Sequence, residues 1–145
     1  MIHNPSNKDV FRTINLNIAA PGAGNNLTIA APANAISELV HLKFSLGTDA
    51  NVADRLVRLE VYTGALSTVI SASLIEQTAS LAWNYMFQLG TPAFSSGDGV
   101  HHFMPIPSDF RLFEGWEWRI LVLNLQAADT IASARIQYKL WIYEQ

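Results

Sequence analysis

Asp98, His101 and His102 are the tightest group of potential metal ligands in the chain. A transition-metal site wants three or four converging donors. Adjacent side chains on a strand point to opposite faces, so His101 and His102 cannot both reach one ion without a bulge. Asp98 with loop carbonyls could meet calcium, but the spacing of an EF-hand loop is missing. These residues read as loop and strand-edge polar groups, with no metal and no cofactor expected. Glu60, Glu114 and Glu117 could face one another as glycosidase carboxylates, although any chain with twelve acids offers such pairs. Nucleophilic catalysis needs an activated Ser, Thr or Cys beside a base. The chain has no Cys, no Gly-x-Ser-x-Gly elbow, and its serines lie in alternating strands or loops without a nearby His in sequence. The run PGAGNN, residues 21 to 26, has the glycines of a phosphate loop, but no Gly-Lys-Ser/Thr follows and LTIAAP after it reads as a strand. No catalytic residue is assigned, and the chain is expected not to be an enzyme.

Composition narrows the classes further. At 145 residues the chain suits one domain with a real core. Only 14% of it is charged, against about 25% in a typical soluble protein. A charge-poor surface fits either a neutral polar β-protein or a subunit largely covered by neighbours, since interface cores are depleted in Lys, Glu and Asp. The net charge of −3 is spread without a basic run, so nucleic-acid binding is not expected. Without cysteine, stability must come from packing. No apolar run approaches the roughly 20 residues that span a bilayer, and MIHNPSNKDV lacks a hydrophobic signal core. No membrane partner is expected, and the chain reads as made in the cytoplasm.

The elements that would position side chains are strands. Residues 1 to 9 are polar and aperiodic and read as an N-terminal arm; residues 10 to 145 read as one domain. Alternation marks strands at Ile14, Leu16 and Ile18; at Val40, Leu42, Phe44 and Leu46; at Val57, Leu59 and Val61; and at Leu81, Trp83, Tyr85, Phe87 and Leu89. Leu66, Thr68, Ile70, Ala72 and Leu74 form a further row, with Ser67, Ser71 and Ser73 opposite. Residues 100 to 106 read as a short strand before Pro105 and Pro107 interrupt pairing. The one helical candidate is ANAISELV, residues 33 to 40, with Asn34 as its cap, and no more than a single turn. Eight or nine strands about a dozen residues apart point to an antiparallel β-sandwich or barrel.

The strongest pattern closes the chain. GWEWRILVLNL puts Trp116, Trp118, Ile120 and Val122 on one face, and TIASARIQYKLWIYE puts Ala134, Ile136, Tyr138, Leu140 and Ile142 on one face. Read as a hairpin across QAAD, the two runs set Trp118 opposite Tyr138, Ile120 opposite Ile136, and Glu117 opposite Lys139. Trp141 and Tyr143 then share a polar face with Arg135, Gln137 and Lys139, where large aromatics are candidates for a partner or a saccharide.

The order of arm, one-sided strands with Gly and Asn turns, and then PIPSDFRLFEGWEWRILVLNLQAADTIASARIQYKLWIYEQ resembles the small jelly-roll structural proteins of tailed bacteriophages. Pro105 and Pro107, Gly115, Asp129 and the run to Tyr143 occupy the places of that family's closing strands and turns. The resemblance implies an all-β jelly-roll sandwich and a non-enzymatic head decoration or cement protein. It implies a homo-oligomer, often a trimer, that binds the major capsid protein on the virion surface. Ile2, His3 and Asn4 of the arm and the pair Trp141 and Tyr143 are the expected partner contacts. The alternative is a carbohydrate-binding or tail and baseplate module of a phage.

Overall fold

Strands that are dry on one face must bring those faces together. In the computed structural model, which describes residues 11–142, they meet as two sheets around one cluster of buried side chains. The strands are β1 (Arg12–Ile18), β2 (Leu27–Ala30), β3 (Ala35–Gly47), β4 (Leu56–Tyr62), β5 (Ser67–Ala72) and β6 (Ala82–Leu89). They continue with β7 (Phe94–Ser95), β8 (His101–Ile106), β9 (Arg111–Leu112), β10 (Glu117–Leu123) and β11 (Thr130–Ile142). The larger sheet has the order β1-β11-β3-β6-β8-β7, with β9 paired to the first half of β3; the smaller has the order β2-β10-β4-β5. The architecture is all-β, with no helix among the described residues. β6 and β8 run parallel, so the larger sheet is mixed and the smaller antiparallel.

The inward rows read from alternation hold for most strands. Leu42, Phe44 and Leu46 of β3, Val57, Leu59 and Val61 of β4, Tyr85 and Phe87 of β6, and Trp118, Ile120 and Val122 of β10 are all buried. The closing hairpin does not form. β10 pairs β2 and β4, while β11 pairs β1 and β3 in the other sheet. The segment between them crosses the end of the sandwich. Trp118 and Tyr138 still face each other, with ring centroids 5.8 Å apart, but across the core. Alternation reports which face is dry; it does not report which strand lies alongside. Glu117 accordingly meets Arg119 on its own strand at 2.8 Å, and Lys139 sits beside Glu38 at 3.9 Å.

Three further expectations need correction. Residues 33–40 form no helical turn: Asn34 occupies a left-handed turn position at φ 53°, and β3 starts at Ala35. The Asn34 N–H donates to the Glu114 carboxylate at 3.1 Å. Residues 35–39 are buried without alternation, because this part of β3 is covered on both faces. The row on β5 is not a core face. Leu66 and Leu74 are 71% and 74% exposed while Ser71 and Ser73 are buried, since β5 is an outer strand with a register shift against β4. Finally, the eleven strand segments exceed the eight or nine expected, β7 and β9 being only two residues each.

The loops at one end of the sandwich are tied by a buried ion pair. Arg55 Nε and Nη2 donate to the Asp129 carboxylate, each at 2.9 Å, and Arg55 Nη2 also donates to Asp49 at 2.7 Å. Arg55 Nη1 donates to the carbonyls of Asn51 and Ala53. The Asp129 oxygens accept further from the N–H groups of Asp49 and Gln126, both at 2.8 Å. Burial alone would raise the Asp129 pKa, but Arg55 and these amides hold it below the usual carboxylate value. Gly24, at φ 71°, joins the same end: its N–H donates to the Asp129 carbonyl at 2.8 Å, and a Cβ there would stand 2.9 Å from the Ala127 carbonyl oxygen.

Candidate functional site

The outward face of the larger sheet carries the most developed hollow. Two β-bulges lie between β3 and β11. One places Ser133 and Ala134 where β3 has a single residue, with Ser133 at φ 54°; the other places Val40 between the residues paired to Gln137 and Tyr138. Between the bulges, Arg135 pairs with Lys43 and Gln137 with His41. Bulges twist and bend a strand and re-aim its side chains, and here they flank two adjoining hollows. The first, about 300 Å³, is lined by Asn15, Asn17, His41, Lys43, Arg135 and Gln137. The second, about 290 Å³, shares Lys43 and continues over Ser45, Asn84, Met86, His101 and Phe103.

The electrostatics of the first hollow are one-sided. Arg135 Nε donates to Asn17 Oδ1 at 2.9 Å, which fixes the guanidinium while leaving its outer nitrogens free of side-chain partners among the described residues. His41 Nε2 is enclosed without a hydrogen-bond partner among the described residues. Burial, then Lys43 and Arg135, push the His41 pKa below the ordinary imidazole value, so the ring is neutral near pH 7. Two described acids near this face are committed elsewhere. Glu38 lies 3.6 Å from Arg111 and 3.9 Å from Lys139, and Asp98 meets His101 at 2.8 Å. Among the described residues neither Lys43 nor Arg135 has an acidic partner.

Of the expected partner residues, Ile2, His3, Asn4 and Tyr143 lie outside the described residues. Trp141 is on the same strand-face parity as Arg135, Gln137 and Lys139, as read, but it is only 8% exposed. Phe11 packs against it with centroids 5.5 Å apart, and the Arg111 guanidinium lies 4.8 Å above its ring. Within this chain Trp141 is therefore a covered ring and not an open platform. The alternation could show its face but not the cover supplied by Phe11 and Arg111.

His101 and His102 diverge as strand geometry requires. His101 points outward beside Asp98, whose carboxylate is held low by Ser96, the Val100 N–H and His101. His102 points inward, is 3% exposed, and packs against Trp83 and Tyr85 at 4.3 and 5.5 Å. Among the described residues no group of three or more His, Cys, Asp or Glu could hold a metal. One proximity escaped the sequence reading: the β7–β8 hairpin brings Ser95 Oγ within 2.9 Å of His102 Nδ1. A nucleophile needs its base oriented by a third group, and His102 Nε2 has no hydrogen-bond partner among the described residues. The pair is accordingly a packed histidine satisfied on one side. Glu60 and Glu117 sit on neighbouring strands but are occupied by Arg58 and Arg119, and Glu114 by the Asn34 amide. No family model, curated protein or solved structure matches the chain.

Proposed function

We propose that the fold is a jelly roll and that the chain is a non-enzymatic virion structural protein, a decoration or cement subunit that binds and stabilises a coat lattice. The nested pairing carries this reading. β1 pairs β11, β2 pairs β10, β3 pairs β6 and β4 pairs β5. One long antiparallel ribbon, rolled so that β11 also meets β3 and β10 also meets β4, produces the facing layers β1-β11-β3-β6 and β2-β10-β4-β5. That winding is the two-Greek-key roll found in capsid proteins, and β7, β8 and β9 are then an insertion between its sixth and seventh strands.

The surface supports a role in lateral contact. Beside the outer strand β5, Leu66, Val69, Leu74 and Ile75 are exposed, and Phe94 on β7 at the matching margin of the other sheet is 46% exposed. Leu74 and Phe94 line one shallow hollow, so the two margins meet there. Exposed apolar side chains along an unpaired strand edge mark an interaction surface. Several modest contacts on one rigid oligomer bind a lattice far more tightly than a single contact does. Light scattering over a concentration series tests the oligomer: three copies of the 16.0 kDa chain give about 48 kDa. A Leu66→Asp, Leu74→Asp variant should then run as a monomer. A wild-type monomer at every concentration overturns the clamp.

A further inference from the structure

The two adjoining hollows on the larger sheet have a composition that the lattice-binding role does not use. Two cationic side chains, Lys43 and Arg135, converge there beside the neutral His41 ring, while the chain as a whole carries a net charge of −3. The nearby acids Glu38 and Asp98 are already paired with other bases. Carboxamides supply most of the rest: Asn15, Asn17 and Gln137 in the first hollow, Asn84 in the second. A carboxamide offers both donors and acceptors, which suits hydroxyls lying side by side. Arg135, steadied by Asn17, presents a planar fork to a carboxylate. Lys43 belongs to both hollows.

The geometry points to a binding site for an acidic saccharide, with one sugar's carboxylate on Lys43 and Arg135 and its hydroxyls on His41, Asn15 and Gln137. A second sugar would extend into the neighbouring hollow, where Ser45 and Asn84 are polar and Met86 and Phe103 offer apolar surface for a ring face. Each hollow, at about 290 to 300 Å³, lies at the small end of ligand sites. A protein partner fits less well in the first hollow, where amides and cations outnumber the apolar Leu16 and Ile136, because interface cores favour aromatic and apolar groups. Neutral His41 accepts or donates to a hydroxyl without needing a charge, and its Nε2, closed to solvent, has no hydrogen-bond partner among the described residues. The site stands independently of the jelly-roll and lattice readings.

Isothermal titration of the full chain against oligogalacturonate, oligoalginate and oligosialic acid, with malto-oligosaccharide and inorganic phosphate as comparators, tests the assignment. At least one acidic oligosaccharide should bind with a Kd at or below about 1 mM. Lys43→Gln and Arg135→Gln should each weaken it roughly tenfold or more, as loss of a charged hydrogen bond does, while melting at the wild-type temperature. Binding by none of the acidic sugars overturns the proposal, as does binding unchanged in both variants. Malto-oligosaccharide binding as tightly removes the role of charge. Phosphate matching the oligosaccharides reduces the site to an anion site and overturns the saccharide assignment.

Discussion

Arg55 and Arg135 carry the same guanidinium into opposite circumstances. Arg55 is fully buried, and its nitrogens are shared among Asp129, Asp49 and two carbonyls. Arg135 is exposed on the outer face, held at one nitrogen by a neutral amide, with Lys43 as its pairing neighbour on β3. A charge buried inside a fold is tolerated only with its partners in place. A pair of like charges side by side on a sheet is mildly unfavourable. The first arrangement belongs to folding. The second contributes nothing evident to it, and such a feature is where a ligand is to be sought.

The comparison can be broken most directly at the buried end. Asp129→Ala leaves Arg55 without its main counter-charge and should cost about 3 to 5 kcal/mol, measured by urea unfolding; a loss below about 1 kcal/mol would put this pair in the same class as a surface one. Trp118→Ala, at the centre of the core and away from any charge, should also cost about 3 to 5 kcal/mol. That value supplies a packing reference against which the ionic loss is read.

His102 separates burial from pairing by pH. Burial pushes its pKa below the ordinary imidazole value. The unfolded chain therefore takes up a proton near pH 6.5 that the folded chain does not. The stabilisation is present above that pH and is lost as pH falls from about 6.5 toward the lower folded value. Unfolding midpoints measured between neutral and mildly acid pH should drop, and the slope should be smaller in His102→Gln. An unchanged slope means that this ring is not responsible. The smallest expected effect sits on the outer face: Lys43→Gln and Arg135→Gln should each change stability by no more than about 0.5 kcal/mol. A large loss in either would assign those cations to the fold after all.

The same contrast shows what could be read from the residues. The dry rows of β3, β4, β6 and β10 were legible because alternation encodes burial directly. Neighbours were not. Trp118 and Tyr138 do meet, yet from different sheets, and a two-faced sandwich gives identical patterns to strands paired side by side and strands stacked face to face. The serine row on β5 failed because an outer strand with a bulge is not held to one dry face. Arg55 and Asp129 are far apart in sequence and look like ordinary surface residues until the loops close. The hollow was equally hidden: His41, Lys43 and Arg135 converge only because β3 and β11 are adjacent, and the bulges that shape it leave no period to detect. Ser95 and His102 belong to the same class, since a two-residue strand such as β7 is too short to announce itself.

The pairing of β1 with β11 sets Arg12 opposite Leu140 and Ile18 opposite Ala134. β3 likewise finds one of its two main neighbours only in β11. On a ribosome, the early strands therefore emerge long before the strand that completes their sheet, and they must wait with open edges. Contacts so distant along the chain make closure slow, and waiting edges invite association with other chains. Efficient production of this molecule thus depends on keeping nascent β1 and β3 apart from their counterparts on neighbouring chains until β11 arrives, which makes slow, cool synthesis or a holding chaperone favourable to soluble yield.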